Sequence, residues 1–359
     1  MRLGCYCGNP QTNNIAGVSD SMKKYSILDL CPVCEGNSVG EAFENCVDLA
    51  KNVEQFGYTR IWLAEHHNMA GIASAATSVV IGQVANATQS IRVGAGGVML
   101  SNHSPLIIAE QFGTLESLFP GRVDLGVGRA PGSDGLTARA IRRGMNQPPD
   151  NFLSDLGELL TFLSPPQSNQ RVQAFPGVGT NVPVWILGSS LFGAQVAASM
   201  GLPYAFASHF APELLVEALT VYRQNFCPSE TLSEPYVIAG LNFFAAESDE
   251  KAKKLFTSLQ IQFANLFRGA PGKLQPPLDN IHDYVSLSEI AALENALKYS
   301  AVGSYETVLS KTREFLNITS VDELILTAQI FDHRARLESF EIGSAVCAEL
   351  VEEYSKEAA

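Results

Sequence analysis

The chain has 359 residues, 46% of them apolar and only 17% charged, with a formal net charge of −13. That composition excludes a disordered chain and describes a folded protein with a sizeable core, and the acidic balance argues against nucleic acid or an anionic membrane surface as a partner. Seven cysteines at irregular positions (Cys5, Cys7, Cys31, Cys34, Cys46, Cys227 and Cys347) read as reduced thiols in a cytoplasm rather than a disulfide framework, and no apolar run is long enough to predict a membrane span.

Residues 1–21 are polar, rich in Asn, Gly and Ser, and without periodicity. They are expected to be a disordered N-terminal extension. Met22-Lys23-Lys24 would open the first strand cleanly, and residues 22–359 form a single domain. From there strand and helix signals alternate. Tyr25–Leu30 predicts a strand. Ser38 is placed to cap a helix over Val39–Gln55, with Gly57 as its stop. Thr59–Leu63 is the second strand, Ala73–Ala87 a small-residue helix and Ile91–Leu100 the third strand. Pro105 starts a helix to Leu118 that Pro120-Gly121 ends. Arg122–Val127 is the fourth strand, followed by helices over Thr137–Arg143 and Asp150–Leu163. Strand five, Pro183–Leu187, precedes a helix over Ser190–Met200. Strand six is Tyr204–Ala207, with a helix over Pro212–Phe226. Strand seven is Tyr236–Ala245, with a helix over Asp249–Phe267. Val321–Thr327 is the eighth strand, and a helix over Arg334–Tyr354 closes the series.

Eight strands, each followed by a helix, predict a closed (β/α)8 TIM barrel. Two insertions account for the extra length. Pro165–Asn181 precedes strand five. Gly269–Asp283, with helices over Leu287–Tyr299 and Tyr305–Phe315, precedes strand eight. A doubly wound dinucleotide-binding sheet fits less well: Gly126-Val127-Gly128-Arg129-Ala130-Pro131-Gly132 has the wrong third glycine spacing and a proline where the helix would begin.

Ligands of such barrels bind at the C-terminal ends of the strands. Strand two ends in Glu65-His66-His67, a carboxylate and two imidazoles. The pattern is not H-E-x-x-H and adjacent histidines point apart, so no metal is expected. His66 is the favoured acid/base or substrate-facing group, while Glu65 and His67 lock the loop by hydrogen bonds. Gly94-Ala95-Gly96-Gly97 interrupts a buried strand, as a bend does or as bare backbone beneath a flat ring would. Arg129, just past strand four, either clamps an anion or pairs with Asp134. Gly188-Ser189-Ser190 opens a helix, where free N–H groups, hydroxyls and the helix dipole suit a phosphate; a plain serine cap is the alternative. Cys31-Pro32-Val33-Cys34 lacks a second pair to make a zinc site and is read as structural. His103 and His209 also follow strand ends, and His209-Phe210 can line a pocket. The Gly269–Asp283 loop is long enough to serve as a lid.

Several segments together resemble the bacterial luciferase-like monooxygenases, in the single-subunit branch similar to alkanal monooxygenases. They are YSILDL (25–30), FGYTRIWLAEHHN (56–68), the run from Ile91 to Asp134, PVWILGSS (183–190), GLPYAFASHF (201–210), VGSYETV (302–308) and VDELILTAQIFDHRARLESF (321–340). The resemblance spans about Lys23 to Glu353. It implies a (β/α)8 barrel that binds reduced FMN from a separate flavin reductase. O2 is then used, through a peroxyflavin, to oxidise a small organic substrate such as an aldehyde. It implies His66 as the catalytic histidine with His67 and Glu65 beside it. It also implies phosphate contacts from Arg129, Ser190 and the Ser189 backbone next to Gly188, a non-prolyl cis peptide at Gly96–Gly97 beneath the flavin, and a homodimer packed through the second and third helices. Gly128 departs from the pattern, since the light-emitting α subunit has a reactive cysteine there; neither light emission nor aldehyde specificity is implied. Two rival readings stand beside this one: a deazaflavin-dependent oxidoreductase on the same barrel, and a non-catalytic flavin-binding protein.

Overall fold

The computed structural model describes residues 22–130, 132, 134–141 and 151–357. The expected extension over residues 1–21 lies outside the described residues. So do Arg142 and Arg143 of one expected helix and Asp150 of the next.

Eight strands close into a parallel barrel. β1 (Lys24–Asp29) pairs with β2 (Arg60–Leu63), and the order runs on through β3 (Arg92–Met99), β4 (Val123–Gly128), β5 (Val184–Gly188), β6 (Tyr204–Phe206) and β7 (Val237–Ala245). β8 (Ser300–Gly303) is a short addition along Asn242–Ala245 at the far end of β7, and β9 (Glu323–Thr327) closes the ring by pairing with both β7 and β1. The helices are α1 (Val39–Gln55), α2 (Thr77–Ala87), α3 (Pro105–Leu118), α4 (Gly135–Ile141), α5 (Phe152–Leu163), α6 (Leu191–Met200), α7 (Leu215–Gln224), α8 (Asp249–Phe267), α9 (Leu287–Ala296), α10 (Tyr305–Thr319) and α11 (His333–Glu357).

The local chemistry explains the boundaries. Ser38 and Glu41 form a reciprocal capping box at the start of α1, whose buried stripe Ala42, Cys46, Leu49, Ala50 and Val53 faces the barrel. α2 begins four residues later than its composition predicts. Ala73 donates its N–H to the Cys31 carbonyl and Ser74 its hydroxyl to the Ala64 carbonyl, so this stretch ties the ends of β1 and β2 together instead of winding. β8 falls between the two helices expected in the second insertion, where the sequence predicts no strand. Four residues carry too little periodicity to announce a strand, and pairing with β7 supplies its hydrogen bonds.

The barrel interior is layered. An apolar layer joins Leu28, Trp62, Ala64, Trp185, Ala205, Ile238 and Ile325. Beneath it, at the N-terminal ends of the strands, Arg60 bridges Asp124 at 2.7 Å and Glu323 at 2.8 Å. Arg92 also reaches Asp124, Tyr236 donates to Glu323 at 2.8 Å, and Ser26 donates to the same carboxylate. The Arg60 guanidinium lies 4.8 Å from the Trp185 ring. This closed plug leaves the opposite mouth as the place for a ligand.

Candidate active site

The C-terminal ends of the strands open onto a cavity of about 1450 Å³. Its floor is β3. The Gly96–Gly97 peptide is cis, as the sequence resemblance implied. A Cβ on Gly96 would lie 2.8 Å from Leu28 Cδ1, and one on Gly97 would lie 2.7 Å from the Gly126 carbonyl oxygen. Only bare backbone fits, and the register with β4 shifts between Ala95 and Val98 at this point.

At the end of β2 the three ionisable groups separate in role. Glu65 is buried, and its Oε1 takes hydrogen bonds from His67 Nε2 at 2.7 Å and His103 Nε2 at 2.8 Å, while Oε2 takes the Met99 N–H. Burial works to raise the Glu65 carboxyl, but the bonds from His103, His67 and Met99 hold it below the ordinary carboxylate range. An ionised carboxylate only accepts, so both imidazoles carry their proton on Nε2. The three groups place one ligand atom each within 4.8 Å of one another, a spread that could hold a metal ion. With both Nε2 atoms on one oxygen at hydrogen-bond distance, the arrangement acts as a clamp between the loop after β2 and the end of β3. His66 stands apart from it and lines the cavity. Burial, helped by His67, lowers its pKa below 6.5 against the opposing influence of Glu65 and the Gly132 backbone, so the ring is neutral at neutral pH.

Arg129 follows β4 on the cavity wall, its guanidinium 4.3 Å from the centre of the Phe192 ring. Asp134, its expected alternative partner, is engaged elsewhere: it accepts from the Thr137 hydroxyl at 2.6 Å, the Leu136 N–H at 2.8 Å and Asn68 at 3.1 Å. Among the described residues no carboxylate pairs with Arg129. Gly188, Ser189 and Ser190 line the cavity at the start of α6, where Ser190 is the N-cap residue in extended conformation but its side chain makes no capping hydrogen bond. A hydroxyl, unspent N–H groups and a cation thus converge on one end of the cavity, which suits a phosphate.

The remaining wall comes from the ends of β6, β7 and β9 and the long insertion. His209, Phe210, Asn242 and Gln329 line it, as do Gly269, Ala270 and Pro271. The insertion is a pinned wall rather than a free lid: Leu274 bridges to Cys34, Lys273 Nζ donates to the Asn37 carbonyl, and Leu278 N–H donates to Thr257. Cys31 and Cys34 are buried thiols bonded to backbone carbonyls. Sequence reasoning placed Glu65, His66, His67, Gly96, Gly97, Arg129, Gly188, Ser189 and Ser190, and the fold brings all of them to the mouth or its immediate support. It missed Phe192, Asn242 and the part His103 plays in the clamp. For His103, its position just past a strand end was the available signal.

The fold is a parallel eight-stranded barrel whose mouth gathers Arg129, Ser189, Ser190 and the half-buried imidazole of His66 around a glycine-lined cavity, the architecture of the barrel enzymes. The family model described as luciferase-like monooxygenase matches residues 24–322, and the chain belongs to that family. A relative named luciferase-like monooxygenase in Escherichia coli strain K12 is 51% identical over 334 residues, covering 93% of this chain and all of the relative. The crystal structure of apo-MsnO8 superposes with a TM-score of 0.81 at 30% identity, covering 91% of this chain and 99% of that one. More distant barrels share the fold. One is the oxygenating constituent of 3,6-diketocamphane monooxygenase from Pseudomonas putida in complex with FMN (TM-score 0.64, 17% identity, 90% and 97% coverage). Another is an F420-dependent secondary alcohol dehydrogenase (TM-score 0.65, 14% identity, 89% and 98% coverage).

Proposed function

We propose that this family member is a flavin-dependent monooxygenase that takes reduced FMN from a separate flavin reductase and uses O2 to oxidise a small organic substrate. The observation that carries the reading is Arg129, without a carboxylate partner among the described residues, beside Ser189 and Ser190 at one pole of a cavity floored by Gly96–Gly97. Among the described residues Arg129 is the single Arg or Lys side chain lining the cavity, which matches one terminal phosphate better than a polyanionic deazaflavin tail.

Reduced FMN, when bound, supplies the electrons that activate O2. The chain's own residues do the rest. Arg129 and the α6 N-terminus hold the phosphate, and the β3 glycines admit the ring to the barrel mouth. Apolar side chains such as Leu30, Met69 and Phe263 exclude water. His66, neutral at the working pH, gives or takes a proton at the reacting atoms. Glu65, His67 and His103 set the loop that presents it. A homodimer through α2 and α3 accords with the apolar side chains exposed there, Val79, Ile107 and Leu118, and light scattering tests it.

Anaerobic titration with reduced FMN and with a reduced deazaflavin decides the cofactor. Tight binding of FMN alone, with a flavin reoxidation rate altered by the protein when O2 is admitted, supports the proposal. Preference for the deazaflavin overturns it. If FMN binds and neither the chain nor His66→Ala changes any oxidation, a storage role replaces it.

A further inference from the structure

The proposed flavin would occupy the β3, β4 and β5 sector of the mouth, and the β6–β7 sector remains. There one imidazole is held with unusual care. Ile238, Gly240 and Asn242 alternate toward the barrel interior along β7, with Ile238 in the apolar layer and Asn242 on the cavity. Gly240 leaves a slot, and His209 fills it: a Cβ at that position would lie 2.1 Å from His209 Nδ1. Asn242 Nδ2 donates to the His209 carbonyl at 2.8 Å, and Ser208 donates to the Gly240 carbonyl at 2.6 Å. These bonds tie the His209 backbone to β7, with the ring seated against Gly240.

His209 Nδ1 is buried against Gly240 with no hydrogen-bond partner among the described residues. A buried N–H without a partner is costlier than a buried lone pair, so the proton of the neutral ring sits on Nε2. The opposite ring edge, which carries Nε2, is the part left to line the cavity. Around it are Phe210, half exposed, and Phe263, 5.9 Å apart as ring centroids. A hydrogen-bond donor among aromatic rings selects an uncharged molecule with an acceptor atom.

We infer that the β6–β7 sector is the substrate subsite and that His209 is its specificity-determining residue, offering Nε2–H to an apolar, uncharged substrate that bears a carbonyl acceptor. The inference rests on the cofactor placement proposed above only for which sector is left free.

Two measurements test it. In cofactor-free protein labelled with 15N in its imidazoles, long-range 1H–15N spectra at pH 7 are expected to show His209 protonated on Nε2 alone; protonation on Nδ1 overturns the assignment. FMN-loaded protein is then titrated with a medium-chain methyl ketone, the matched alkane and the matched carboxylate. The ketone is expected to bind most tightly. His209→Leu should weaken it about tenfold while leaving the alkane and FMN affinities unchanged, and His209→Gln, which keeps an N–H donor, should restore most of the loss. Gly240→Ala, which displaces the ring while retaining the imidazole, should reproduce the His209→Leu result. Equal ketone binding by His209→Leu and the parent chain, or tighter binding of the carboxylate, overturns the inference. If FMN fails to bind the parent chain, the cofactor reading falls, and the spectra and ketone titration of cofactor-free protein still decide the role of His209.

Discussion

The two ends of the barrel handle buried polarity in opposite ways. At the N-terminal end Arg60, Arg92, Asp124, Glu323 and Tyr236 satisfy one another across β2, β3, β4, β9 and the residue preceding β7. At the mouth, Arg129 has no carboxylate partner among the described residues, the Ser190 hydroxyl makes no cap, and His209, its Nδ1 turned against Gly240, leaves its Nε2 edge to the cavity. Closed networks hold a barrel together; open donors wait for a ligand. The Glu65 clamp shows both habits at once, a closed network whose product is the posture of the open residue beside it.

Breaking the plug gives the largest effect on stability. Arg60→Met leaves Glu323 buried without a cation and Asp124 with Arg92 alone, and is expected to cost about 3–5 kcal/mol in denaturant unfolding. FMN affinity of the protein that remains folded should not change. A loss below about 1 kcal/mol, or a selective loss of flavin binding, would erase the contrast between the two ends. At the mouth the signature reverses. His66→Ala is expected to lower substrate-dependent turnover about 10²–10⁴-fold with unfolding and flavin binding preserved. Arg129→Ala should weaken FMN about 10–100-fold, as loss of a charge-assisted contact does, while stability moves by no more than about 0.5 kcal/mol. Fluorescence titration and urea melts on the same samples separate these outcomes.

The sequence disclosed the mouth better than the plug. Glu65-His66-His67, Gly96-Gly97, Arg129 and Gly188-Ser189-Ser190 are each local runs at strand ends, so reading the strands was enough to gather them onto one rim. The plug is non-local: Arg60, Asp124 and Glu323 stand 64 and 263 residues from one another in its two bridges, and each opens or nearly opens a strand where a charged residue reads as an ordinary flank. The same limit hid His103 from Glu65, since the clamp exists only once β2 and β3 lie side by side. It also hid the slot at Gly240, an unremarked glycine until His209 is seen to fill it. Short strands such as β8 escape for another reason, because four residues do not establish a period.

The smallest effect is also the one that ties the open end to solution conditions. His209 is pushed down to about 4 from 6.5 by burial and by the nearby His66, and His66 is itself lowered by burial. Between 6.5 and the folded values the unfolded chain binds protons that the folded chain refuses, so the unfolding free energy falls as pH falls through that window. Each such histidine contributes a slope of at most about 1.4 kcal/mol per pH unit. Glu65 acts lower on the scale: its folded value lies below 4.5, so its stabilisation is present above that value and is lost on further acidification. His209→Gln removes one titrating group from the upper window and should flatten the stability profile between pH 6.5 and 4 while leaving the steeper fall at lower pH in place. Urea melts at pH 7, 5 and 3 on both proteins measure this directly. A parallel shift of the whole curve, with no flattening, would mean that the His209 ring is free to accept a proton, and the mouth would then be less tightly held than the slot at Gly240 requires.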